Sequence, residues 1–184
     1  MGALSTLRAS LTVALLLLCA GAGAAWAAPT SAEVEAVFLF NFSQFVDWPA
    51  QSFAAASSPI VLCVLGNDPF GPALDQVVRG EQVNGRPLEV RRFRRVEDVT
   101  DCHILFVSRS ERGQLEPILK ALQGRSVLTV SDIEDFARAG GVICFVQMDN
   151  KIRLRVNLEA AKAAGLTLSS KLLRPAQIVA SGEG

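Results

Sequence analysis

From Ile60 to Leu65 the chain carries only apolar side chains, and two later runs, Cys102 to Val107 and Ser126 to Val130, are nearly as continuous. Successive side chains on a strand point to opposite faces, so a run without polar alternation must be covered on both. That requirement excludes a sheet with one wet face. Helices between the runs can supply the cover. Pro72 to Val78 suits one, and Arg112 to Leu122 another, with Pro117 tolerated only if the first turn begins near Glu116. Leu88 to Phe93 reads as a further strand leading into the cluster Arg91, Arg92, Phe93, Arg94 and Arg95. Alternating strands and helices predict an α/β fold, a three-layer sandwich with a mostly parallel, Rossmann-like sheet.

The two ends of the chain depart from that alternation. Ser31 can cap a helix whose apolar positions Val34, Val37, Phe38, Phe42, Phe45 and Val46 recur at three and four, ending at Trp48-Pro49. Toward the other end a short helix from Ile133 to Ala139 stops at Gly140-Gly141. Val142 to Met148 and Ile152 to Val156 then form an antiparallel hairpin about Asp149-Asn150. Leu158 to Ala164 is helical, Gly165 ends it, and Ser169 caps a last helix that Pro175 bends.

Residues 1–27 have the pattern of a removable secretory signal: Arg8 near the amino terminus, an apolar stretch from Leu11 to Cys19, and Ala25-Trp26-Ala27 before the cut. A lipoprotein signal at Leu16-Leu17-Leu18-Cys19 is the rival, weakened by bulky Leu18 where a small residue belongs. The mature chain, residues 28–184, has the length of a single domain and an expected periplasmic location. Removing Arg8 leaves 17 basic against 18 acidic residues, so composition favours neither nucleic acid nor anionic lipid as a partner.

Three cysteines survive processing, and an oxidising compartment makes one bridge and one leftover the simplest account. Cys63 lies on the first predicted strand and Cys102 starts the third. In the common doubly wound order those strands are neighbours, so these two can pair, leaving Cys144 as a small buried residue. A redox-active pair would need exposed thiolates, against which Leu62, Val64, Ile104 and Leu105 argue.

Open α/β sheets bind ligands outside the carboxyl ends of their strands. Gly66-Asn67-Asp68, Ser108-Arg109-Ser110 and Ser131-Asp132 each follow a strand there. Asn67, Asp68 and Arg109 are therefore candidate contacts for a small anion, with ordinary capped turns the simpler reading. The arginine cluster suits either an anionic partner or the blunting of a strand edge. His103, the only histidine, reads as structural: a metal needs more ligands than one imidazole and buried thiols, and no hydrolase triad can be built around it. No catalytic residue, cofactor or metal is expected.

Several stretches together resemble the YfiR family of periplasmic regulators. They are Ala36 to Phe42 with Phe45 to Pro49, Ile60 to Gly66, Cys102 to Ser108, Val127 to Ser131, Phe136-Ala137, Gly140 to Ile143, Val156 to Leu158 and Ala163 to Leu173. The resemblance covers nearly all of the mature chain. It implies a non-enzymatic regulator that inhibits an inner-membrane diguanylate cyclase by binding its periplasmic sensor domain, so that loss of the regulator raises cyclic di-GMP. It also implies a homodimer, and an outer-membrane, OmpA-like lipoprotein that relieves the restraint. Cys63 and Cys102 match the family's cysteine pair; some members have a second pair near Cys144, where Ala137 stands at a partner position here. Pro175 replaces a helix-friendly leucine. Such an inhibitor needs an apolar contact surface, for which Leu166, Leu168, Leu172 and Leu173 are candidates if a subset is exposed rather than capping the sheet. The alternative function is a periplasmic small-ligand-binding sensor module working with a histidine kinase, and an enzyme ranks third.

Overall fold

The computed structural model describes residues 28–149 and 151–182. The secretory signal expected over residues 1–27, and Asn150 of the expected hairpin turn, lie outside the described residues. An interior strand of the eight-stranded sheet is β2 (Ile60–Leu65), all six residues of which are buried. It lies parallel to β4 (Arg86–Phe93) on one side and to β5 (Ile104–Val107) on the other. Beyond β5 follow β6 (Leu128–Ser131) and β7 (Ile143–Met148), also parallel. The order β4-β2-β5-β6-β7 is the doubly wound one, with the first and third major strands adjacent. β7 turns back antiparallel into β8 (Lys151–Val156), forming the predicted hairpin. The short strands β3 (Gln82–Val83) and β10 (Gln177–Ile178) complete the two edges.

Alternation along β2 divides the interior in two. Ile60, Leu62 and Val64 enter one core, with α1 (Ser31–Phe45) and α2 (Pro72–Val78); Ala161 of α4 (Leu158–Ala163) and Leu172 of α5 (Ser170–Leu173) join it. Val61, Cys63 and Leu65 enter the other, under α3 (Leu115–Ala121), the turn around Val99 and the segment from Ile133 to Ala137. Each fully buried Leu or Val on these faces contributes roughly 1.5–3 kcal/mol relative to exposure. Phe38 and Phe42 of α1 lie 5.8 and 5.9 Å from the Phe145 ring of β7, fixing the helix across the sheet.

Local chemistry explains most boundaries. Thr30, rather than Ser31, caps α1: its hydroxyl accepts from the Glu33 amide while Glu33 reaches back to the Thr30 amide. The predicted α1 face is rotated. Glu35, Ala36, Leu39, Phe42 and Ser43 are buried, whereas Val37 is exposed, because a helix apolar nearly all round leaves its orientation to packing. Val46 leaves the helix to form β1 (Val46–Asp47), which pairs with β9 (Thr167–Leu168). Tertiary pairing overrides the helical spacing there. α3 begins at Leu115, so Pro117 falls in the first turn, where its missing N–H needs no partner. A 3-10 turn from Arg109 to Gln114 replaces the expected start. α5 ends at Leu173, ahead of Pro175, instead of bending through it.

The helix expected from Ile133 to Ala139 is a series of turns. Asp135 has φ of +61°, which interrupts any helix, and the buried Phe136 folds back over Gly141. Any side chain at Gly141 would collide with that ring, so the glycine is required by close approach. Asn157 fastens this segment: it caps α4 at the Ala160 amide and donates Nδ2 to the Ala137 carbonyl at 2.8 Å.

Cys63 and Cys102 are bridged, with Cα atoms 6.1 Å apart. Cys102 precedes β5 rather than starting it, so the staple runs from the middle of β2 to the approach of its neighbour. The cysteines are 39 residues apart, a loop whose closure the chain-entropy model values at about 4 kcal/mol. Cys63→Ser should therefore lower the melting temperature by on the order of 10 °C with the far-ultraviolet circular dichroism of the folded state unchanged. An unchanged melting temperature would remove the bridge's structural role.

Candidate functional site

The switch point of the sheet lies between β2 and β5, and the loops leaving them close over it. Gly66 has φ of +90°, and a side chain there would strike Ser110 and Glu111. The Asn67 amide donates to Ser110 Oγ at 3.0 Å, and that hydroxyl donates to Glu111 Oε1 at 2.7 Å. Asp68 Oδ1 accepts from the Phe70 amide, forming a turn of its own, while Oδ2 accepts from Arg92 Nε at 2.7 Å. Arg92 also reaches both oxygens of Asp75 and the Gly71 carbonyl. These hydrogen bonds lower the Asp75 pKa below the usual carboxylate range. Of the expected anion contacts, the Asn67 amide is thus taken by Ser110 and the Asp68 carboxylate by Phe70 and Arg92, while Arg109 pairs elsewhere.

Arg109 belongs to a second group farther along the carboxyl edge. Its Nε donates to Asp132 Oδ2 at 2.7 Å, while Asp132 Oδ1 is buried without a donor. Glu35, from α1, lines the same cavity of about 250 Å³ with Phe145, Val146 and Ile152. Burial, reinforced by the charge of Asp132 and opposed by Arg109, pushes the Glu35 pKa up to about 7. Burial also raises Asp132. Sequence reading placed Asp132 only as a loop residue and passed over Glu35. The available signal was spacing: Glu35, Leu39 and Phe42 follow one helical stripe, which put a carboxyl on the face that the apolar residues bury.

The four carboxyl-terminal leucines divide in pairs. Leu166 and Leu172 are buried, at 6 % and 4 % exposure; Leu168 and Leu173 are half-buried against the same core. β9 joins the end of α1 through Val46 opposite Leu168 and the Ser169 amide donating to the Phe45 carbonyl at 2.8 Å. What this segment presents at the surface is therefore Leu168 and Leu173.

His103 sits at the opposite, amino end of the strands with both ring nitrogens occupied by backbone. The Val61 amide donates to Nδ1 at 3.1 Å, so the proton is on Nε2, which donates to the Ser52 carbonyl at 3.2 Å. Burial lowers its pKa. The imidazole stacks on Phe53, whose ring also carries the Arg86 guanidinium at 3.7 Å. This is the structural histidine the sequence suggested. Of the arginine cluster, Arg92 holds the loop after β2, Arg91 pairs with Glu89 and Arg95 with Asp98. β3 pairs only with Arg86 and Pro87, so the rest of β4 is an open edge bearing these arginines. Cys144 is buried, its thiol donating to the Ile133 carbonyl, and burial raises its pKa. Its sulfur also lies against the backbone of Phe136 and Ala137.

Glu35 makes the first expectation about solution behaviour. An acid whose folded pKa is raised binds a proton that the unfolded chain has released, so stability falls as pH rises from about 4.5 to about 7 and is level above. The loss is on the order of 3 kcal/mol. Glu35→Gln should erase this component, giving a variant that melts higher than the wild type at pH 8 and no higher at pH 4.5. Parallel melting curves for the two proteins across that range would refute the buried carboxyl.

These features contain no assembled catalytic constellation among the described residues; they form a stapled sheet with a closed switch point, an acidic cavity and an apolar carboxyl-terminal margin. A family model described as YfiR/HmsC-like matches residues 32–177, from α1 to β10. The match takes in the bridge, the Asn157 cap and the carboxyl-terminal leucines, and the chain belongs to the YfiR/HmsC-like family.

Proposed function

We propose that this protein is a non-enzymatic periplasmic regulator that inhibits an inner-membrane diguanylate cyclase by binding the cyclase's periplasmic sensor domain. The family match over residues 32–177 carries the reading, since members of this kind act as periplasmic regulators of cyclic di-GMP signalling. The bridge between Cys63 and Cys102 supports an oxidising compartment. Among the described residues no helix is long and apolar enough to cross a membrane. A homodimer is the assembly proposed here, with an OmpA-like outer-membrane lipoprotein as the protein that draws the regulator away.

Leu168 and Leu173 are the side chains proposed to meet the partner. Their half-burial supports the choice, for it leaves apolar surface open on a margin fixed by β1 and β9. Leu166 and Leu172 are assigned instead to the core, where truncation costs about 2–5 kcal/mol.

Deleting the gene should raise cellular cyclic di-GMP, and the protein should co-purify with a cyclase ectodomain. Complementation with the double variant Leu168→Ala, Leu173→Ala should leave cyclic di-GMP several-fold above the wild-type level with only a small change in melting temperature. Full restraint by that variant would remove the margin from the interface. Capture of a histidine kinase ectodomain instead would transfer the reading to the small-ligand sensor.

A further inference from the structure

The cavity at the carboxyl end of the sheet has charged groups whose pairing is incomplete. Arg109 satisfies one oxygen of Asp132 and is otherwise turned to solvent, its side chain 73 % exposed. Asp132 Oδ1 is buried and meets no donor. Glu35 is 8 % exposed, and no hydrogen bond to its carboxyl occurs among the described residues. A buried carboxyl without a donor is unfavourable. The rest of the wall comes from Ala32, Pro69, Phe145, Val146 and Ile152, with the polar side chains of Ser31 and Gln147.

We propose that this cavity is a binding site for a small organic ammonium ion, whose N–H groups reach the Glu35 carboxylate while its hydrocarbon body lies against Phe145, Val146 and Ile152. An ammonium has three donors and no acceptor, which complements a carboxylate that has no donor of its own. The charge balance opposes an anion: two carboxyls line the space against one guanidinium, whose Nε is held by Asp132. The donor set also opposes a hard metal ion, which takes six or more oxygens. Only two acidic side chains are present, beside an arginine, and no group of three His, Cys, Asp or Glu converges among the described residues. At about 250 Å³ the cavity is below the range of drug-sized pockets, so the occupant is small.

The position fits ligand entry in an open α/β sheet. Asp132 follows β6, Arg109 follows β5 and Pro69 lies in the loop after β2, so strand ends converge on the space while Glu35 comes from the helix above. Other charged groups at its margin are Arg112 and Glu134, which face one another across the adjoining hollow. Binding a cation favours the ionised form of Glu35, so occupancy near pH 7 should release a proton. This site does not rest on the cyclase reading, and either can fail alone.

The test is a titration of the purified, isotope-labelled protein at pH 8 with n-butylammonium chloride, against sodium butyrate at equal ionic strength. Saturable amide shifts confined to the surroundings of Glu35, Asp132 and Val146 are expected with butylammonium and not with butyrate. Glu35→Gln should weaken binding at least tenfold; it relieves a buried charge, so loss of folding is not expected to obscure the result. Calorimetry with the same probe at pH 7, in two buffers of different ionisation heat, should register proton release in the wild type alone. Equal shifts with butyrate, shifts that do not saturate, or unchanged affinity in Glu35→Gln would each overturn the site.

Discussion

Burial of β2 on both faces sets conditions that nearly every other element meets. A strand carrying Ile60, Leu62 and Val64 on one side and Val61, Cys63 and Leu65 on the other cannot rest at an edge or under a single layer. β4 and β5 satisfy its backbone, and the helices α1 and α2 cover the first face. The second face has less helix over it. Only α3 is regular there, and the remaining cover comes from turns held by specific contacts: Phe136 against Gly141, Asn157 on the Ala137 carbonyl, and the Arg125 side chain on the Val99 carbonyl. The bridge lies on this same face. Covalent closure thus reinforces the side of the sheet that secondary structure covers least.

The amino end of the strands is fixed by a different device. His103 joins β2 and β5 to the Ser52 turn through its two ring nitrogens, and Trp48 Nε1 donates to the His103 carbonyl at 3.2 Å. Arg86, Phe53 and His103 stack in that order, and Arg86 also donates to the Ala55 and Ser58 carbonyls. The loop between β1 and β2 is therefore anchored despite having few regular hydrogen bonds of its own. Structural polar groups satisfied in this way rigidify that end of the sheet.

The legible part of the fold was the part that local physics determines. Continuous apolar runs identified β2, β5 and β6, and the hairpin of β7 and β8 followed from its turn and flanking strands. Neighbouring first and third strands then brought Cys63 within reach of Cys102. What sequence could not settle were choices made by distant partners. Val46 continues the helical spacing yet pairs with Leu168, and Ile133 to Ala139 has helical composition yet follows the backbone that Asp135 and the Phe136 ring impose. The candidate site was less legible still. Asp68 and Arg109 both follow strands, but Arg92 claims one and Asp132 the other, and neither pairing has a signature in sequence spacing.

The placement of Glu35 links these observations, because α1 needs no carboxyl to pack. Its neighbours Ala36, Leu39 and Phe42 already bury the helix, and Phe38 and Phe42 hold it to Phe145. Replacing a buried acid by an apolar residue of similar size would be expected to stabilise such a helix, since desolvation opposes the charge and no hydrogen bond compensates it. A group that stability does not call for, set where strand ends converge, is what the proposed ammonium site would use. α1 continues directly into β1, and β1 pairs with the strand that carries Leu168. The helix that supplies Glu35 to the cavity is therefore the same element that braces the proposed partner margin.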